Sequence, residues 1–109
     1  MIIDFNKIEE KEHANFKGGE KSLNGRMYND GTNIIMRAVL VPGASVGLHT
    51  HEGNCEIVYV IEGSGKVLYD DTEERVCAGQ VHYCPENHTH SLINDTDKDL
   101  VFFAVVPKQ

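Results

Sequence analysis

The chain has 109 residues and a formal net charge of −7 at pH 7, from 17 acidic and 10 basic side chains with histidine neutral. That length fits one domain, residues 1–109, and leaves no room for a second. The acidic balance argues against a nucleic-acid partner, which needs a basic face, and no apolar stretch is long enough to suggest a membrane partner. The opening Met1-Ile-Ile-Asp-Phe-Asn-Lys7 lacks the cationic start and long apolar run of a secretory signal. Cys55, Cys77 and Cys84 are odd in number and contain no C-x-x-C pair, so a reducing, cytoplasmic compartment is expected.

Residues 1–33 read as an N-terminal arm with edge strands. Ile2, Ile3, Phe5 and Ile8 suit an edge strand or a docked short helix. Residues 7–13 are charged and suit a turn or two of exposed helix. The paired Gly18-Gly19 marks a loop or bulge, residues 23–28 suit a short strand, and Asn29-Asp30-Gly31 is a turn signal. Residues 34–41 are apolar on nearly both faces, β-branched and short, as in a strand buried on both sides. Pro42-Gly43 ends that run. Further strands are expected over 46–50, 57–61, 66–69, 73–76, 81–84, 90–94 and 100–106, separated by Gly, Pro, Asn and Asp. Short strands with turn signals at this spacing predict an all-β sandwich or barrel, and no stretch keeps helical periodicity over three turns.

Within that pattern His49 and His51 stand at i and i+2, on one face of an extended strand. An isolated pair of this kind is more readily an exposed pair on a half-buried strand. Glu56 changes the balance, because a glutamate opening an apolar strand is costly if it points inward unpaired. If the turn at Glu52-Gly53-Asn54 makes a hairpin, Glu56 returns beside the two histidines. Two nitrogens and a carboxylate oxygen from adjacent strands suit a first-row transition metal with positions left open.

The stretch 43–63 reads G-x5-H-x-H-x4-E-x6-G, and the stretch 79–94 reads G-x5-P-x-N-x2-H-x3-N. Together they resemble the two cupin motifs, with Asn87 where that family usually has glycine. The resemblance covers residues 34–106. It implies a double-stranded β-helix, or jelly-roll, barrel with a metal inside. It also implies a ligand set of His49, His51, Glu56 and His90 for one divalent transition metal ion, Mn, Fe, Ni, Co, Cu or Zn. Asparagine is the non-glycine residue that best tolerates a positive φ, so the turn at Asn87 is expected to survive.

If Glu56 points inward, so do Val58 and Val60, and Ile57, Tyr59 and Ile61 face out. Either another strand or the arm covers those three, or a second copy does; a homodimer is expected. His88 is a candidate substrate-facing base at the cavity mouth or a solvated loop residue. Arg37, a lone charge in an apolar strand, is a candidate anchor for an acidic substrate or a partner for a surface carboxylate. Arg26 shares that ambiguity. His82 is at most a cavity-lining residue and His13 a surface one. The cysteines read as small buried hydrophobes, with Cys84 an outside candidate for a soft ligand.

Two functions remain open on the sequence. One is a metalloenzyme acting on a small polar molecule, carboxylate or sugar-like, by dioxygenase, decarboxylase or isomerase chemistry. The other is a non-catalytic cupin that binds or senses a small molecule or metal. No helix-turn-helix segment is present to couple the latter to DNA.

Overall fold

A computed structural model describes residues 1–109 as ten strands in two antiparallel sheets. They are β1 (Lys11–Ala14), β2 (Ser22–Asn29), β3 (Asn33–Leu40), β4 (Ser45–Thr50), β5 (Glu56–Glu62), β6 (Ser64–Tyr69), β7 (Thr72–Cys77), β8 (Val81–Cys84), β9 (Thr89–Ile93) and β10 (Leu100–Pro107). The first sheet runs β1-β2-β3-β10-β5-β8 and the second β4-β9-β6-β7. The expected all-β jelly roll is what the chain adopts. No helix is long and apolar enough to cross a membrane.

The arm differs from expectation. Residues 5–7 and 16–18 form single 3-10 turns, and residues 11–14 form a strand on β2 instead of an exposed helix. β2 is eight residues long and contributes Leu23, 1% exposed, to the core. A charged stretch can serve as an edge strand because its side chains meet water on both sides.

The inner faces alternate as a two-residue period requires. Val58 and Val60 of β5, Met36 and Ala38 of β3, and Phe102 and Ala104 of β10 meet Val67, Val76 and Leu92 of the second sheet. Along β5 and β9 the same inward face begins with Glu56 and with His90 before turning apolar. One end of these strands therefore carries polar chemistry and the rest carries the core.

Two turns have particular requirements. Asn87 adopts φ 70°, the left-handed conformation expected where the motif usually has glycine. Asn94, fully buried, donates through Nδ2 to Leu40 O and Lys98 O at 2.7 Å, and its Oδ1 accepts from Thr96. It thereby satisfies one carbonyl at the end of β3 and one in the turn between β9 and β10.

Candidate metal centre

β4 carries a bulge, with the register to β9 shifting between Val46 and His49. Val46 and His49 differ in parity, yet Val46 is buried and His49 turns inward, leaving Leu48 59% exposed. A one-residue slip exchanges the two faces of a strand, and the bulge supplies it. His51, just beyond β4, then follows on the same side. His90 sits opposite His49 in the β4–β9 ladder. Glu56 arrives from the other sheet, where it pairs with Cys84 of β8. The hairpin expected at residues 52–54 is instead a crossover between sheets, so the four groups bridge the barrel.

His49, His51, Glu56 and His90 bring one donor atom each to within 4.8 Å of one another. The three imidazole centroids lie 4.7–4.9 Å apart. Glu56 Oε1 is 3.2 Å from His51 Nε2 and 3.0 Å from His90 Nε2. His51, Glu56 and His90 are buried and His49 half-buried.

Each histidine is held from behind. His49 Nδ1 is 2.7 Å from Gly47 O, and His51 Nδ1 is 2.6 Å from Asn54 Oδ1. Both oxygens accept, so each Nδ1 carries a proton and Nε2 is the nitrogen left for a metal; when His51 takes a second proton, its Nε2 donates to Glu56 Oε1. His90 Nδ1 is 2.9 Å from His82 Nε2, which completes the outer ring of contacts. Such partners fix ring orientation and tautomer at metal sites.

Burial works to raise the Glu56 carboxyl, but hydrogen bonds from His51 and His90 outweigh it and hold the group down at about 2. His51 is raised above the usual imidazole range, chiefly by Glu56, whereas burial lowers His49. Burial, then the neighbouring His90, pushes His82 down to about 4, leaving it neutral near pH 7.

The donor set fits a divalent transition metal. Three imidazoles and one carboxylate supply borderline nitrogen ligands and one negative charge. The Nε2 atoms of His51 and His90 face each other at 2.9 Å, and both turn toward Glu56 Oε1. A cation between the rings suits that arrangement, so this cluster of three histidines and one glutamate could hold a metal ion.

The other sequence candidates lie apart from it. Arg37 is exposed on the outer face of the first sheet, flanked by inward-facing Met36 and Ala38. It stands opposite Arg26 and Phe103, so parity removes it as a cavity anchor. Arg26 instead donates to Phe5 O and Ile8 O and holds the arm. His88 lies in the turn between β8 and β9, with Nδ1 2.6 Å from Asp70 Oδ2 and its ring stacked on Tyr69. The cysteines are free; Cys55 and Cys84 are buried and Cys77 is exposed. Burial pushes the Cys84 thiol up to about 11, which disfavours the thiolate a metal needs.

Three contributors were not legible as site residues. His82 reads from sequence only as a lining residue, although it touches His90. Phe16 and Lys17, from the arm, line a cavity of about 90 Å³ together with His49, Glu56, Met36 and Phe102. The paired glycines that follow Lys17 were the only hint of a special turn there.

An antiparallel jelly roll with three histidines and a glutamate gathered inside defines a small β-barrel protein whose inner cluster could hold a metal ion. Residues 36–106 match the cupin domain family, and the chain belongs to it. An oxalate-binding protein of Thermotoga maritima is 32% identical over 113 aligned positions, covering 97% of this chain and 93% of that protein. A crystal structure from Thermotoga maritima, described as a predicted oxalate decarboxylase, superposes with a TM-score of 0.92 at 29% identity over the whole of both chains. A cupin-superfamily sugar phosphate isomerase from Silicibacter pomeroyi matches with a TM-score of 0.81 at 22% identity, over 100% of this chain and 76% of that one; that likeness is one of fold.

Proposed function

We propose that this chain binds one divalent transition metal ion through His49, His51, Glu56 and His90, and through it a small carboxylate of the oxalate class. The observation that carries the reading is the convergence of the four donor atoms within 4.8 Å. The similarity to an oxalate-binding protein supplies the ligand class. Size supports it too. The cavity beside His49 and Glu56 is about 90 Å³. Apolar cavities that admit a benzene ring are about 150 Å³, which favours a two-carbon acid over a sugar ring. A bound metal would supply a Lewis-acid or redox centre to which a carboxylate oxygen can coordinate.

Binding is favoured over proton-moving chemistry. Besides His49, Glu56 and Lys17, the cavity walls are apolar. No further acid or base stands beside the space where a carboxylate would sit, and general acid–base catalysis needs one within hydrogen-bond reach. The enzymatic alternative, a decarboxylase or dioxygenase, keeps support from the similarity to a predicted oxalate decarboxylase. We place the protein in the cytoplasm as one cupin domain, residues 34–106 forming the barrel and residues 1–33 its arm, and as a homodimer.

The test is calorimetric titration of oxalate, acetate and glucose into protein loaded with manganese or nickel, alongside metal-stripped protein. Metal-dependent oxalate binding without release of carbon dioxide or formate is expected, and His90→Ala should abolish it. Loaded protein that ignores oxalate would sink the reading. Turnover would replace the binder by the enzyme.

A further inference from the structure

The arm carries a cation to the cavity, and its role rests on the carboxylate reading above. We propose that Lys17 is the specificity residue: it faces the second carboxylate of a short dicarboxylate whose first carboxylate is held at the metal centre of His49, His51, Glu56 and His90.

Lys17 lines the same small cavity as His49 and Glu56 and brings its only other charged side chain. It takes no part in the ion pairs that occupy Arg26, Lys66 and Arg75. Its ammonium instead lies 5.7 Å from the centre of the Phe16 ring, over an apolar wall. A cation resting on an aromatic face at a cavity mouth remains available to an incoming anion.

The position of Lys17 is built into the backbone. It sits in a 3-10 turn at φ 55°, closed by Gly18 N–H to Asn15 O at 2.8 Å and Gly19 N–H to Phe16 O at 3.0 Å. That turn lies backbone against backbone on β4, the strand of His49. A Cβ on Gly47 would meet Lys17 O at 2.0 Å, and one on Gly19 would meet Ser45 O at 2.0 Å. The contact is fastened by Ser45 N–H to Glu20 O at 3.0 Å and Glu20 N–H to Ser45 Oγ at 2.9 Å. Lys17 and His49 are therefore fixed to one scaffold at the same cavity.

Charge balance then selects the ligand. A divalent ion, Glu56 and Lys17 together sum to two positive charges. A dianion neutralises them, whereas a monoanion leaves Lys17 unmatched. Complementarity of this kind discriminates between ligands more than it raises affinity for all of them.

The experiment compares wild type, Lys17→Met, which keeps the apolar stem, and Lys17→Arg, which keeps the charge. Each is loaded with the same metal and titrated with oxalate and with acetate, and thermal melts verify folding. Lys17→Met should weaken oxalate about tenfold, the worth of one charged hydrogen bond. It should leave acetate within about twofold, because a monoanion makes no use of that charge. Lys17→Arg should recover most of the loss, and added salt should narrow the difference between wild type and Lys17→Met. Metal affinity, measured by competition with a chelator, should not fall in Lys17→Met. Equal oxalate affinity in wild type and Lys17→Met would overturn the Lys17 role while leaving the carboxylate reading standing. Loss of oxalate and acetate in equal proportion would overturn it as well. If wild type binds neither acid, both fall together.

Discussion

Asp70 shows how one side chain can hold a turn in place, here the one leading into β9. Its Oδ1 accepts from Thr89 N–H at 3.0 Å and its Oδ2 lies 2.6 Å from His88 Nδ1, two residues before His90. The Thr89 amide, then His88, holds the Asp70 carboxyl below the ordinary value of 3.8. A depressed carboxyl stabilises the fold above its unfolded value, and that contribution is lost as pH falls through the lower folded value. Asp70→Asn should therefore flatten the acid limb of stability below pH 3.8 and leave its neutral slope unchanged, as read by urea unfolding from pH 6 to 2. His82 acts at the same scale on the proposed metal site. His82→Phe keeps bulk but cannot meet His90 Nδ1, and it should weaken metal affinity by about 10–100-fold. A chelator competition showing no loss would assign His82 to packing alone. The four donors were legible because motif spacing is local information. His82 and Lys17 were not, because what they touch depends on which strands and turns become neighbours. Arg37 was open to two readings on chemistry alone, a substrate anchor or a surface charge, and its parity puts it outside.

At the scale of elements, most strands were legible within two residues, from apolar runs bounded by Gly, Pro, Asn and Asp. Two features were not. The turn after His51 reads locally as a hairpin, yet it carries the chain from one sheet to the other, a choice made by pairing partners far away in sequence. The bulge in β4 was hidden at Gly47. That glycine serves twice, since the bulge re-aims His49 and the missing Cβ admits Lys17 O. Gly47→Ala should push the 3-10 turn of residues 16–18 off β4 at a cost of roughly 1–3 kcal/mol, the usual range for overpacking. Oxalate binding should weaken with it. Leu48→Ala, at the neighbouring exposed position, should change stability by less than about 0.5 kcal/mol. Chemical denaturation of both variants checks the pair, and equal stabilities would mean that the turn moves aside freely.

At the scale of the molecule, the outer face of the first sheet is covered on one side only. Phe5 of the arm packs edge-on against Phe103 of β10 at 6.2 Å, and Arg26 ties down the arm's carbonyls. The cover stops short of β5 and β8. There Ile57, Tyr59 and Ile61 are 41–43% exposed, and Val81 and Tyr83 more than half. The register sets Ile57 beside Tyr83 and Tyr59 beside Val81, so these residues form one patch and not scattered points. A contiguous apolar patch on a small chain marks an interaction face, and an identical copy related by a two-fold axis presents the same patch in return. β8 lies at the edge of its sheet and can approach its counterpart without displacing another strand. Light scattering at micromolar concentration should therefore give twice the 12.2 kDa chain mass. Tyr59→Glu, which places a charge at the centre of the patch, should shift the species toward 12.2 kDa while leaving metal binding intact. The cavity lies on the opposite side of β5 from Tyr59, so association and metal binding should respond independently. A wild-type protein that stays at 12.2 kDa throughout would show that this face is left to water.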